Sequence, residues 1–140
     1  MTAGSPVALD TSVAIPLLVA SHEAHAAVAS WATGRSFAMG VQALAETYAV
    51  LTRLPGDARV APDDAVVLID DNIINHLDLP GEVTARLHRE LAGVGVSGAA
   101  TYDGLVALAA REHDLLLATR DARARPTYEA IGVRVEIVTG

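Results

Sequence analysis

Four acidic residues of this chain stand where a fold could gather them. Asp10 ends the short apolar run Val7-Ala8-Leu9 and is followed at once by two hydroxyls, Thr11 and Ser12. Glu46 lies in an amphipathic stretch, off its apolar stripe. Asp103 opens a second such stretch, and Asp121 follows another apolar run within Ala-Thr-Arg-Asp-Ala-Arg. Carboxylates facing one cleft repel one another, and the chain contains no lysine to neutralise them. Such a cluster must either take up protons at raised pKa or hold a divalent cation. Oxygen-only ligation, with no cysteine and no histidine close in sequence to these acids, favours Mg²⁺ or Mn²⁺ over Zn²⁺. An ion in that setting activates a water and stabilises a phosphodiester during displacement. Each residue alone also has a purely structural reading. Asp10 is a good helix N-cap, with Thr11 and Ser12 as spare caps. Asp103 complements a helix dipole, Asp121 starts a turn, and Glu46 is an exposed helix residue.

These side chains need elements to position them, and the hydrophobic pattern supplies them. Apolar runs at 7–9, 36–40 and 115–118, the short segment 76–79 and the alternating segment 133–138 read as strands. Helical patterns cover 12–19, with Pro16 limiting it or marking its start, and 21–32, 41–54, 62–75, 81–91, 99–112 and 127–131. The stripe Val41, Leu44, Ala45, Tyr48, Leu51 stops at Pro55-Gly56, and Pro62-Asp63-Asp64 suits a first helical turn. Strands alternating with helices imply an α/β fold whose mainly parallel sheet, of about five strands, is covered on both faces. Sites in such sheets form beyond the carboxyl ends of the strands. Asp10, Glu46 and Asp121 fall near that edge, and Asp103 joins them if the start of its helix meets the strand exits.

Composition narrows the function classes. The 140 residues suit one domain spanning 1–140, and 51% hydrophobic residues provide a sizeable aliphatic core. The absence of cysteine removes disulfides, thiol nucleophiles and Cys-based zinc sites. The absence of lysine removes a Walker A site, Schiff-base chemistry and a lysine-assisted phosphoaspartate site. A formal net charge of −7 argues against a general nucleic-acid coat while permitting a local Arg-lined groove. No basic leader or long apolar segment is present, so the expectation is a soluble, cytoplasmic protein without a membrane span.

The segments VALDTSV, QALAETYAVLTRLP, TYDGLVALAA and LLLATRDARARPTYEAIGVRV, in that order and spacing, resemble a PIN-domain ribonuclease of the VapC toxin type, from end to end. The resemblance implies a PIN-like α/β/α sandwich and an acidic quartet of Asp10, Glu46, Asp103 and Asp121. In the family the first and third acids are the most direct metal ligands, which gives Asp10 and Asp103 the leading roles. Glu46 and Asp121 would complete the set directly, through water, or by placing a second ion. Thr119, with Thr11 or Ser12, would orient a carboxylate or a water, and Arg120 is a candidate phosphate contact. The implied activity is Mg²⁺- or Mn²⁺-dependent cleavage of RNA. The implied partners are a second copy of the chain and a cognate VapB-like antitoxin, in a heterotetramer or larger, whose tail fills the active-site groove.

Two rival functions are a catalytically silent PIN-like module that binds RNA or protein, and a phosphoaspartate protein with Asp10 as acceptor. The intact quartet opposes the first; the missing lysine and the absence of a D-x-D pattern oppose the second. Other signals are weaker. GVGVSG, residues 93–98, matches G-x-G-x-x-G but follows a helix rather than a strand. His22 and His25 in HEAH fall one residue short of a zincin motif and read as an exposed helix face. Asp63-Asp64 and Asp70-Asp71 read as solvated faces or a helix start, and Trp31 as core or dimer packing.

Overall fold

The computed structural model describes residues 4–139. Five strands, β1 (Val7–Leu9), β2 (Phe37–Gly40), β3 (Asn75–Leu77), β4 (Leu117–Thr119) and β5 (Val135–Ile137), form one sheet in the order β3-β2-β1-β4-β5. All neighbouring pairs are parallel. Seven helices make the crossovers: α1 (Thr11–Leu18), α2 (His25–Ala32), α3 (Val41–Arg53), α4 (Pro62–Asn72), α5 (Gly81–Gly93), α6 (Ala100–Glu112) and α7 (Arg125–Ile131). A single 3-10 turn, Gly56–Ala58, follows α3.

The sequence explains which strands sit in the middle. Every residue of β1, β2 and β4 is buried, as expected for uninterrupted apolar runs covered by helices on both faces. The alternating β5 and the polar β3 take the edges and stay partly exposed. The strand order runs outward from β1 in both directions. The crevice between β1 and β4 is therefore the topological switch point, where open parallel sheets place their sites. Register makes this concrete. Leu9 pairs with Ala118, so the next residues along, Asp10 and Thr119, emerge side by side.

Several boundaries differ from the sequence expectations, each for a local reason. Pro16 lies inside α1 rather than at an end of it. Its missing N–H leaves the Ser12 carbonyl without a helical donor, and the helix stops two residues later. The segment at 21–24 is turned, not helical: His25 N–H bonds the His22 carbonyl at 3.0 Å, and Ala24 N–H bonds His22 Nδ1 at 3.0 Å. His22 and His25 thus do not share a helix face, and His25 Nδ1 instead meets the Pro16 carbonyl at 2.8 Å. β4 starts two residues later than its apolar run. The N–H of Leu115 is taken by the Ala110 carbonyl at 3.0 Å, in a helix-ending turn with Asp114 at φ 53°. α4 ends at Asn72, because Asn75 already joins the sheet and donates its amide to the Phe37 carbonyl at 3.2 Å.

Trp31 packs against Phe37 with ring centroids 5.8 Å apart, donates its indole N–H to Glu136 at 2.9 Å, and carries the Arg35 guanidinium over its ring. Among the described residues no helix is long and apolar enough to cross a membrane.

Candidate active site

Asp10 is 5% exposed, and all four hydrogen bonds to its carboxylate are donated by neighbours. Oδ1 accepts from the Ser12 backbone N–H at 3.0 Å and the Ser12 hydroxyl at 2.6 Å. The first of these is an N-cap bond to α1, so the structural reading of Asp10 holds alongside the chemical one. Oδ2 accepts from the Thr119 hydroxyl at 2.5 Å and the Tyr128 hydroxyl at 2.8 Å.

The two aliphatic hydroxyls are aimed by the loop after β4. Ser12 Oγ accepts from the Arg120 N–H at 2.7 Å and Thr119 Oγ1 from the Asp121 N–H at 3.0 Å. With a lone pair of each oxygen engaged by the backbone, both O–H bonds are directed at Asp10. The Ser12–Thr119 oxygen contact of 3.3 Å is then a close approach rather than a third strong bond. The pattern Thr119-x-Asp121 has a physical reason here: the threonine must lie at the strand end beside Asp10, and Asp121 must follow closely enough to reach the same cleft.

A cleft of about 140 Å³ opens above Asp10, lined by Asp10, Thr11, Ser12, Glu46, Asp103, Val106, Asp121 and Tyr128. All four acids of the quartet meet there, from β1, α3, α6 and the loop after β4. Helix α6 therefore directs its first turn toward the strand exits, the condition on which Asp103 depended. Glu46 is steered by Gln42, one turn earlier on α3, whose amide donates to Oε1 at 2.6 Å. Asp121 accepts from the Arg123 N–H at 3.0 Å in a local turn. Thr11 reaches away from Asp10 to Thr47 of α3, with hydroxyl oxygens 3.3 Å apart, and so ties α1 to the helix that carries Glu46. Arg120 contributes its backbone N–H; its Nε is buried without a hydrogen-bond partner.

No basic side chain lines the cleft, and the electrostatics follow from that. Burial raises the Asp103 carboxyl above its ordinary value, with further raising by Glu46, Asp10 and Asp121 in that order. Burial first, then the charge and hydrogen bond of Asp10, push the Tyr128 hydroxyl far up, so this phenol remains a donor. Tyr128 is the residue that sequence reasoning missed. It lies 118 positions from Asp10, and a lone tyrosine inside a short helix reads as core. Its one sequence signal is that a buried tyrosine must place its O–H on a partner.

The donor set suits a divalent cation: oxygen ligands only, an excess of negative charge and no competing cation on the walls. As oriented, no three of the Asp, Glu and His side chains among the described residues are gathered closely enough to hold a metal ion together. Mg²⁺ usually takes one or two carboxylates and keeps several waters, so a loosely spaced quartet remains compatible with it.

Comparison with known proteins agrees with the fold. Residues 7–129 match the PIN domain family. The chain is 56% identical over 132 residues to Ribonuclease VapC27 of Mycobacterium tuberculosis, covering 94% of this chain and 96% of the relative. It is 41% identical over 134 residues to Ribonuclease VapC40 of the same species, covering 95% and 99%. Among solved structures, FitAB bound to an IR36 DNA fragment superposes with a TM-score of 0.65 at 21% identity, covering 94% of each chain. FitAcB from Neisseria gonorrhoeae superposes with a TM-score of 0.62 at 21% identity, covering 92% of this chain and 95% of the other.

Proposed function

The chain belongs to the PIN-domain family, and from that membership we propose that it is a metal-dependent endoribonuclease of the VapC type, the toxin of a type II toxin–antitoxin pair. The observation that carries the chemistry is the convergence of Asp10, Glu46, Asp103 and Asp121 on one cleft without a basic residue among its walls. The names of the two mycobacterial relatives support RNA as the substrate. The FitAB and FitAcB structures support the fold alone. The expected assembly is a homodimer that joins a VapB-like antitoxin in a heterotetramer or larger.

Asp10 and Asp103 would be the main holders of Mg²⁺ or Mn²⁺, with Glu46 and Asp121 completing the set directly or through water. The ion, when bound, would supply water activation and charge stabilisation to a phosphodiester in displacement. The chain's own groups do the positioning. Ser12, Thr119 and Tyr128 fix Asp10, Gln42 fixes Glu46, and Asp103, whose carboxyl binds a proton more readily than usual, is suited to sharing the site with three other acids. The substrate would be single-stranded or looped RNA, where the backbone is open to attack.

Incubation of total RNA with the protein in Mg²⁺ or Mn²⁺ is expected to give discrete cleavage products. EDTA, and the substitution Asp10→Asn, are each expected to reduce them to background. Cleavage that survives both treatments would overturn the mechanism.

A further inference from the structure

We infer that Tyr128 is a positioning residue for Asp10: its buried hydroxyl fixes the orientation of the carboxylate proposed above as the leading metal ligand, and this inference rests on that reading. The two oxygens of Asp10 are held in different ways. Oδ1 is bonded by Ser12 alone, two residues along the same chain segment, as at any helix N-cap. Those bonds fix the helix start, and they reach across the switch point only indirectly, through the Arg120 N–H bond that the Ser12 hydroxyl accepts. Oδ2 is bonded by groups from two other elements, Thr119 of β4 and Tyr128 of α7.

The two donors on Oδ2 are not equivalent. A threonine hydroxyl can rotate about its C–O bond and find another acceptor, and Ser12 Oγ lies 3.3 Å away. The phenol O–H lies near the ring plane, and the ring of Tyr128 is 1% exposed, so its oxygen cannot be re-aimed without repacking α7. Among the described residues Asp10 Oδ2 is its sole hydrogen-bond partner. Packing of α7 needs the ring but not the oxygen: a phenylalanine would fill nearly the same volume, and the hydroxyl would be costly to bury there without that acceptor. Groups that orient a metal ligand from behind typically change metal affinity by about 10- to 100-fold when removed.

The test is Mn²⁺ binding to the metal-free full chain by titration calorimetry, with folding checked by circular dichroism. Tyr128→Phe removes one oxygen; Ile131→Val trims a buried methyl from the same helix without touching Asp10, and Asp10→Asn reports on the site itself. The expected result is folded Tyr128→Phe protein whose Mn²⁺ Kd rises about tenfold or more, beside an unchanged Kd for Ile131→Val. A Tyr128→Phe Kd within about twofold of the parent would overturn the inference while leaving the metal site standing. So would an equal shift in Ile131→Val, or a Tyr128→Phe chain that no longer folds, since either assigns the hydroxyl to stability. Absence of Mn²⁺ binding in the parent chain, or binding that Asp10→Asn leaves intact, would overturn the metal-site reading itself and this inference with it.

Discussion

Asp103 is the acid of the quartet whose charge the metal-free fold opposes. Burial and three neighbouring carboxylates raise its carboxyl above the ordinary value. A raised value in the folded state means that folding is helped while the group is protonated. That help is fully present below the unfolded value, near 3.8, and is lost as pH rises through the folded one. At neutral pH the ionised Asp103 therefore weighs against the metal-free fold, by an amount that solvent screening at this half-buried position keeps small. Asp103→Asn should raise the Tm of the protein in EDTA at neutral pH, with a gain that shrinks as pH falls toward 4. Thermal scans across that range check both parts, and a lower Tm at neutral pH would contradict them. The same substitution should abolish RNA cleavage, which separates a functional charge from a stabilising one. Such a conflict is what a functional residue leaves in a stability measurement; a mere dipole complement would have been expected to stabilise.

Helix packing decides whether four acids separated by up to 111 positions meet (121 − 10), and one contact governs two of them. Gly40 ends β2 and caps α3, and a Cβ placed there would stand 2.6 Å from the Cβ of Ala109 on α6. Neither atom can move without its backbone, so Gly40→Ala must push apart the helices that carry Glu46 and Asp103. The expected cost is about 1–3 kcal/mol, read by denaturant unfolding, together with reduced cleavage. Gly104→Ala makes a useful contrast. Its Cβ would meet Leu91 Cδ2, also at 2.6 Å, but that is the far end of a flexible side chain, and the helix gains up to about 1 kcal/mol in propensity. Gly104→Ala should therefore be the milder change, and the opposite ranking would show that α6 is seated some other way. Neither close approach was legible in the sequence, because one depends on which helix lies over β2 and the other on how α5 meets α6. The elements were legible: all five strands and all seven helices correspond to hydrophobic patterns. Their ends were not, where a turn took an N–H that the pattern assigned to a strand, as Ala110 takes that of Leu115. Asp10 and Asp121 were legible because each follows an apolar run, whereas the four acids as one quartet came from the family resemblance. Tyr128 was not legible, because its role lies in an oxygen aimed at a residue of another element.

For the whole molecule the question is attraction: a chain proposed to cleave RNA with a formal net charge of −7 must overcome its own field. An ion in the cleft would cancel only part of the quartet's charge, so the positive contribution has to come from arginine near the strand exits. The loop after β4 and the first residue of α7 carry Arg120, Arg123 and Arg125 within six residues. Arg123 is the most available of them: its side chain is 95% exposed, and its Nε stands 3.6 Å from Asp121 at the edge of the cleft. An ion pair that exposed contributes little to stability, so Arg123 is free to exchange Asp121 for a phosphate. Arg123→Glu should leave Tm essentially unchanged and weaken RNA binding at low salt. The slope of log affinity against log salt should flatten by about 0.7 for a lost phosphate contact on a single strand. Binding is best measured with the Asp10→Asn background, so that substrate survives the titration. A slope that does not change would show that RNA reaches the quartet along another face, and would direct attention to arginines of a second copy of the chain.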